Sequence, residues 1–317
     1  MSNRAHSVEP HLARRASLTG QDPLPSPLRF GYGTNGLTDL RLDDALALLA
    51  DLGYDGVGLT LDHMHLDPLD PDPDFGPGLA ARTARVARRL EALGLGVTVE
   101  TGARYVLDPR RKHGPSLLDP DPDERARRVD LLLRAVGIAA DLGAHAVHCF
   151  SGVTPAGTDE ATAWKVLPDA LAPVLEAAVE AGVPLAVEPE PGHLLATLAD
   201  FHRLREALGS PDALGLTLDI GHCQCLEPLP PADCVRAAAP WLRHVQIEDM
   251  RRGIHEHLPF GDGEIDFPPV LQALAESGYQ NLTVVELPRH SHAGPHFAEH
   301  SLAALHHHAA TLEGRQP

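Results

Sequence analysis

Eight times along this 317-residue chain, a short apolar run rich in β-branched residues gives way to a longer segment with apolar residues at helical spacing. The strand-like runs fall at 28–33, 56–62, 96–100, 146–150, 185–189, 216–222, 243–249 and 282–287. Helical patterns are expected over 42–52, 79–93, 123–142, 160–181, 198–208, 232–239, 268–277 and 298–312. Strict alternation with no second compositional block predicts an α/β chain closed into a (β/α)8 TIM barrel. An open doubly wound sheet is the alternative. The glycine-rich G-x-G-x-x-G turn of its dinucleotide-binding form does not follow the first strand.

The chain is longer than the usual single-domain prior of roughly 150 residues, but barrels run to about 250 as one domain. One domain is therefore expected over 28–317, preceded by a flexible extension over 1–27. That extension carries Arg4, Arg14 and Arg15 and then Pro23, Pro25 and Pro27, and lacks the apolar centre of a signal peptide. No apolar run approaches the roughly 18 residues of a membrane-spanning helix. Four cysteines in so long a chain do not make a disulfide framework, and reduced thiols in a cytoplasmic protein are expected. Cys223-Gln-Cys225 lacks the C-x-x-C spacing of a soft-metal site. The net charge of −18, from 44 acidic against 26 basic residues, opposes the phosphate neutralisation on which nucleic-acid binding depends. A small molecule is the expected partner, with neither nucleic acid nor membrane, and a homo-oligomer is compatible with the sequence.

Four of the strand-like runs end on a group able to grip a cation: Glu188, Asp219, Gln246 and Glu286. The steps between them are 31, 27 and 40 residues, about one strand–helix unit each. In a barrel such positions converge on one cleft at the carboxyl ends of the strands. Three carboxylates and an amide oxygen would repel one another there, and a divalent cation removes the repulsion. Oxygen-rich ligation suits Mn2+ or Mg2+ first, with Co2+ or Zn2+ next. The bland alternative for any one buried glutamate is a paired structural carboxylate.

These residues resemble a known family, the xylose-isomerase-like barrels, which include sugar epimerases, inosose dehydratases, hydroxypyruvate isomerases and endonuclease-IV-type repair enzymes. The match rests on Glu188, Asp219-Ile-Gly-His222, His244-Val-Gln-Ile-Glu-Asp249, Gly261-Asp-Gly-Glu-Ile-Asp-Phe267 and Glu286, and spans roughly 28–312. Sugar epimerases usually place a metal-binding histidine where Gln246 stands; the hydroxypyruvate-isomerase branch is similar to this chain there. His244 is expected on the same side of the strand as Gln246 and is a second candidate ligand.

The resemblance implies that Glu188 and Glu286 are an acid–base pair as well as ligands. Their chemistry would be removal of a carbon-bound proton and its return to a neighbouring carbon or the opposite face, through an enediolate. It also implies substrate contacts from His222 and Arg252, the latter uncertain by one position because Arg251 adjoins it. His255 and His257 stand where the repair enzymes complete a zinc cluster, but are read first as cleft histidines that bind substrate hydroxyls, and His148, Glu100 and Arg104 are further substrate-binding candidates. Arg110-Arg-Lys112 is the basic cluster after the third strand, read either as an anion clamp or as a solvated loop pairing with Asp108, Asp119 and Asp121.

The expected protein is a metal-dependent isomerase or epimerase of a small sugar, keto-acid or cyclitol ketone. The alternatives are a dehydratase or lyase on an inosose or 3-keto sugar, a zinc phosphodiesterase acting on abasic DNA, and a non-catalytic sugar-binding barrel.

Overall fold

The structure, a computed structural model, describes residues 28–69 and 78–313. The expected N-terminal extension and most of the Asp/Pro loop after the second strand lie outside the described residues. Eight parallel strands form a closed barrel: β1 (Arg29–Gly33), β2 (Gly56–Thr60), β3 (Gly96–Glu100), β4 (Val147–Phe150), β5 (Leu185–Glu188), β6 (Leu214–Asp219), β7 (Leu242–Ile247) and β10 (Leu282–Val285). Pairing runs through consecutive neighbours, and β1 closes against β10 with Arg29 opposite Leu282. Every residue of β2, β5, β6 and β10 is buried. Helices cover the outer face and side chains fill the lumen, which is why these strands read as continuous apolar runs rather than alternating ones.

The surrounding helices follow the sequence closely. Helices α1 (Leu42–Leu52), α2 (Leu79–Leu93), α3 (Pro122–Leu142) and α4 (Glu160–Ala181) each end on a glycine with positive φ. Gly53, at φ 97, is one of them; its N–H turns back to Leu49 and Ala50 carbonyls, a conformation that costs a side-chain-bearing residue. Starts are set by side chains: Asp121 and Asp159 accept N–H bonds ahead of α3 and α4. Thr197 and Asp200 form a reciprocal capping box on α5 (Leu198–Ala207). The later helices are α7 (Pro231–Ala238), α8 (Phe267–Glu276) and α9 (Gly294–Glu313).

Two elements were not expected. A short helix, α6 (Ile220–Leu226), begins directly at the end of β6, with Asp219 as its N-cap. After β7 the chain makes an antiparallel hairpin of β8 (Asp249–Arg251) and β9 (Ile254–Leu258), which carries His255 and His257. Asp249 anchors the segment that follows. Its Oδ2 accepts from Gly261 and Gly263 N–H at 2.9 and 3.0 Å. Its Oδ1 accepts from Met250 and Ile265 N–H at 3.0 and 3.1 Å. The Gly-Asp-Gly-Glu-Ile run is therefore a wrapping for one carboxylate. A Cβ on Gly263 would fall 2.2 Å from Asp249 Oδ1 and 2.6 Å from Met250 N, so Gly263→Ala is expected to lower thermal stability by about 2–3 kcal/mol in a calorimetric scan.

Candidate active site

A cleft of about 480 Å³ opens at the carboxyl ends of the strands. Its lining includes Glu188, Glu190, Glu286, His148, His255 and His257, together with Arg104, Lys112 and Arg289. Glu188 closes β5 and Glu286 lies one residue beyond β10, so both expected proton-transfer groups reach this space. Asp219, Gln246 and Glu248 are 0–2 % exposed and adjoin them without lining the cleft.

Two groups of metal-competent side chains share Asp219. One joins Glu188, Asp219 and His222; the other joins Asp219, Glu248, His257 and Glu286, each with its ligand atoms within 4.8 Å of one another. Six buried atoms here have no hydrogen-bond partner: Glu188 Oε1, Asp219 Oδ2, Gln246 Oε1, both Glu248 oxygens and His257 Nδ1. An unsatisfied buried polar atom costs about 1–3 kcal/mol, so a cluster of them is a poor end state without a guest. Five of the six are carboxylate or amide oxygens, and the sixth is an imidazole nitrogen. The residues present therefore fit a divalent cation, with Gln246 contributing a neutral oxygen in place of an imidazole.

Glu248 is the residue that sequence reasoning overlooked. The signal was available: His244, Gln246 and Glu248 alternate to the same side, and Glu248 is the next inward position beyond the one that was assigned. Gly221, in α6, leaves room for it, since a Cβ there would lie 2.0 Å from Glu248 Oε1. His244 shares that side but sits two residues deeper, about 6–7 Å along the strand. Its Nε2–H donates to Glu100 Oε1 at 3.0 Å, and Thr60 Oγ1 donates to Glu100 Oε2 at 3.0 Å. Both residues are thus occupied inside the barrel. Glu100 does not line the cleft, and His244 belongs to none of the candidate metal groups among the described residues, so neither stands where the sequence placed it.

The two cleft carboxyls sit in opposed environments. His148 Nδ1 accepts the Thr101 N–H at 3.3 Å, which leaves the ring proton on Nε2, 2.6 Å from Glu188 Oε2. Burial favours the neutral acid, but His148 and His222 outweigh it and hold Glu188 well below the ordinary carboxylate range. Burial and then the charges of Glu188, Glu100 and Asp219 push Glu286 well above that range. Burial, Asp219 and Glu286 do the same to Glu248. Asn35, not anticipated from sequence, donates to Glu286 Oε1 at 3.0 Å and fixes its orientation.

His222 Nδ1–H donates to the Pro189 carbonyl at 3.1 Å and lies 3.2 Å from Glu188 Oε1. Burial opposes its charge, yet Asp219, Glu190 and Glu188 raise its pKa well above the ordinary value. The charged ring presents Nε2–H to His255 Nε2 at 3.1 Å, and burial with His222 lowers His255 to about 4, so His255 accepts in its neutral form. His257 is brought down to about 3 by burial. Glu190 is pushed up to about 7, chiefly by burial.

The arginine expected after β7 is elsewhere. Arg252 Nη1 donates to the carbonyls of Gln224 and Glu227 at the end of α6, and Arg251 Nη2 donates to Asp262 O. Neither lines the cleft, because the hairpin turns both toward backbone carbonyls. The expected clamp also divides. Arg111 is committed to Asp108 and Asp119, each at 2.8 Å, and to Glu124; Arg110 is exposed away from the cleft. Only Lys112 of the three lines it. Cys223 and Cys225 are buried free thiols and belong to no candidate metal group among the described residues.

A closed eight-stranded parallel barrel whose strand ends gather carboxylates around one cleft defines a (β/α)8 barrel with its candidate site at the carboxyl ends of the strands. The chain matches the xylose isomerase-like TIM barrel family over residues 46–308 and belongs to that family. It is 33% identical over 140 residues to the rhizopine catabolism protein MocC of Rhizobium meliloti, covering 39% of this chain and 42% of MocC. The chain thus spans under half the length of that relative. It is 24% identical over 253 residues to the L-ribulose-5-phosphate 3-epimerase UlaE of Shigella flexneri serotype 5b (strain 8401), covering 77% of this chain and 81% of UlaE. Among solved structures, apo 3-keto-D-glucoside 4-epimerase YcjR from E. coli superposes with a TM-score of 0.71 at 18% identity, over 89% of this chain and 100% of that one. That last likeness speaks to the fold alone. No helix among the described residues is long and apolar enough to cross a membrane.

Proposed function

We propose that the protein is a divalent-metal-dependent isomerase or epimerase of a small polyhydroxy carbonyl compound. The observation that carries this is geometric: the carboxyls of Glu188 and Glu286 reach one cleft from the ends of β5 and β10, beside the unpartnered donors of Asp219, Gln246 and Glu248. Two carboxyl groups facing one carbon are suited to opposite halves of a proton transfer. Glu188 takes the proton from the carbon next to the carbonyl, leaving an enediolate. Glu286 delivers a proton to the neighbouring carbon in an isomerisation, with the hydroxyl proton passing from one substrate oxygen to the other, or to the opposite face of the same carbon in an epimerisation. His148 orients Glu188, Asn35 orients Glu286, and charged His222 offers positive potential beside the site. Asp219, Gln246 and Glu248, with Glu188 and Glu286, would hold the cation, Mn2+ or Mg2+ by the hardness of the donors. When bound, such an ion stabilises negative charge on the enediolate oxygens.

Incubation with a panel of ketoses, inososes and keto-acids in deuterated water tests the reaction. Deuterium at a single carbon of recovered substrate or product is expected. Loss of water from the substrate would instead identify a dehydratase working through the same enediolate. No exchange with any member of the panel, in protein shown to hold its metal, would remove the reading.

Metal binding should depend on pH in a definite sense. Glu248 and Glu286 have raised pKa values in the metal-free fold, so that fold binds protons more readily than the unfolded chain does. Their contribution to metal-free stability is present below the ordinary carboxylate range and is lost as pH climbs toward the raised values. A cation competes with those protons. Added Mn2+ is therefore expected to raise the melting temperature more at pH 8 than at pH 5.5. A hundredfold excess over Kd adds about 2.7 kcal/mol, or roughly 4 °C for a chain of this size. An equal shift at both pH values would contradict the assignment.

A further inference from the structure

The cleft has a second chemical character besides its carboxylates. Arg104, Lys112 and Arg289 also line it, from the loops after β3 and β10. Among the described residues none of the three makes an ion pair, whereas Arg111 beside them is held by Asp108, Asp119 and Glu124. In a chain with a net charge of −18, three cations left unpaired around one opening are conspicuous. They are close enough to act on one another: burial lowers the Lys112 pKa, and Arg104 and then Arg289 lower it further, against Glu190 and Glu286.

The two loops are built to hold this arrangement. Arg104 Nη2 donates to the Pro288 carbonyl, tying the β3 loop to the segment just before Arg289. Tyr105, at φ 61, sends its N–H to the Lys112 carbonyl at 2.7 Å, so the ends of the loop are pinned across a backbone conformation that costs about 1–3 kcal/mol. Arg128, 5% exposed, supports the loop from α3 by donating to the His113 and Pro115 carbonyls at 2.7 and 2.8 Å. The loops thus hold three like charges around one opening, where an anionic group of a ligand would be drawn in.

We propose that Arg104, Lys112 and Arg289 form an anion subsite, so that the substrate is a polyhydroxy carbonyl compound carrying a phosphate or carboxylate group away from its reacting carbons. The cleft is then bipolar, with a cation guest among the carboxylates and an anionic tail among the exposed bases. Its volume of about 480 Å³ lies within the usual range for small-ligand pockets. The proposal rests on the isomerase reading for the reacting end only; the anion subsite is read by binding alone.

The test is calorimetric titration of the full chain, with Mg2+ present, using inorganic phosphate, glycerol phosphate and glycerate. Phosphate or glycerate binding is expected in the wild type, weakening as salt rises. The double variant Lys112→Ala/Arg289→Ala should lose roughly 10- to 100-fold in affinity, the range for charge-assisted hydrogen bonds to an anion. Arg134→Ala, which alters a surface pair with Asp130, should bind as the wild type does. Glycerol phosphate favoured over glycerate identifies a phosphate ester; the reverse order identifies a sugar acid. The subsite is overturned if none of the three anions binds at tens of millimolar, or if the double variant binds them as tightly as the wild type. Repeating the titration with Glu286→Gln separates the two claims: anion binding that persists without turnover supports the subsite whatever the reaction proves to be.

Discussion

Glu286→Gln is expected to lower turnover by about 10²- to 10⁴-fold while leaving the barrel folded, the range for losing a positioned proton-transfer group. The amide is nearly isosteric and its Oε1 still accepts from Asn35, so the side chain should keep its place. Removing one carboxylate from beside Glu188, Asp219 and Glu248 relieves like-charge repulsion. The metal-free variant should therefore melt no lower than the wild type, and should bind the cation more weakly. These readouts move in different directions, which distinguishes loss of a reacting group from damage to the fold. Turnover within a few-fold of wild type, measured on metal-saturated protein, would take Glu286 out of the mechanism.

Asp249→Ala should be the most destabilising single change in the site region, at about 3–5 kcal/mol. It removes one acceptor for four backbone N–H groups, those of Met250, Gly261, Gly263 and Ile265. A methyl group offers them nothing, and water must enter a region where Asp249 and Met250 are 2% and 0% exposed. For a chain of this length the loss corresponds to roughly 4–8 °C in melting temperature. The loosened segment carries the hairpin of His255 and His257, so cation affinity should fall with stability. A variant within about 1 kcal/mol of wild type in a denaturant titration would show that the loop is held some other way.

Where the chain's own local chemistry dictates the outcome, the sequence was sufficient. Leu42–Leu52 and Leu79–Leu93 were read to the residue, because an apolar stripe and a terminating glycine are both local signals. The strand ends at Glu188 and Asp219 were legible for the same reason, as buried runs stopping on a charge. The hairpin β8–β9 was not. Ile-His-Glu-His-Leu is short and polar, and its pairing with Asp249–Arg251 depends on a turn at Gly253 that resembles any loop glycine. Helix α6 was hidden because its N-cap, Asp219, is also the last residue of a strand. Pairings across the barrel carry no local signal at all: Glu100 and His244 stand 144 positions apart, and Arg104 meets Pro288 across 184. The basic cluster misled for a related reason. Adjacent Arg110, Arg111 and Lys112 read as a unit, yet acidic neighbours in the fold occupy Arg111 while Arg289 arrives from the far end of the chain.

Asp219 has one oxygen in each of two networks. Oδ1 accepts the His222 N–H at the start of α6, while Oδ2 points, without a hydrogen-bond partner, into the donor cluster. At the far end of that short helix the Cys225 carbonyl receives the Gly253 N–H from the hairpin turn. A cation held by Oδ2 would be coupled through α6 to the hairpin, and slower amide hydrogen exchange at Gly253 on adding Mn2+ is the expected sign of that coupling.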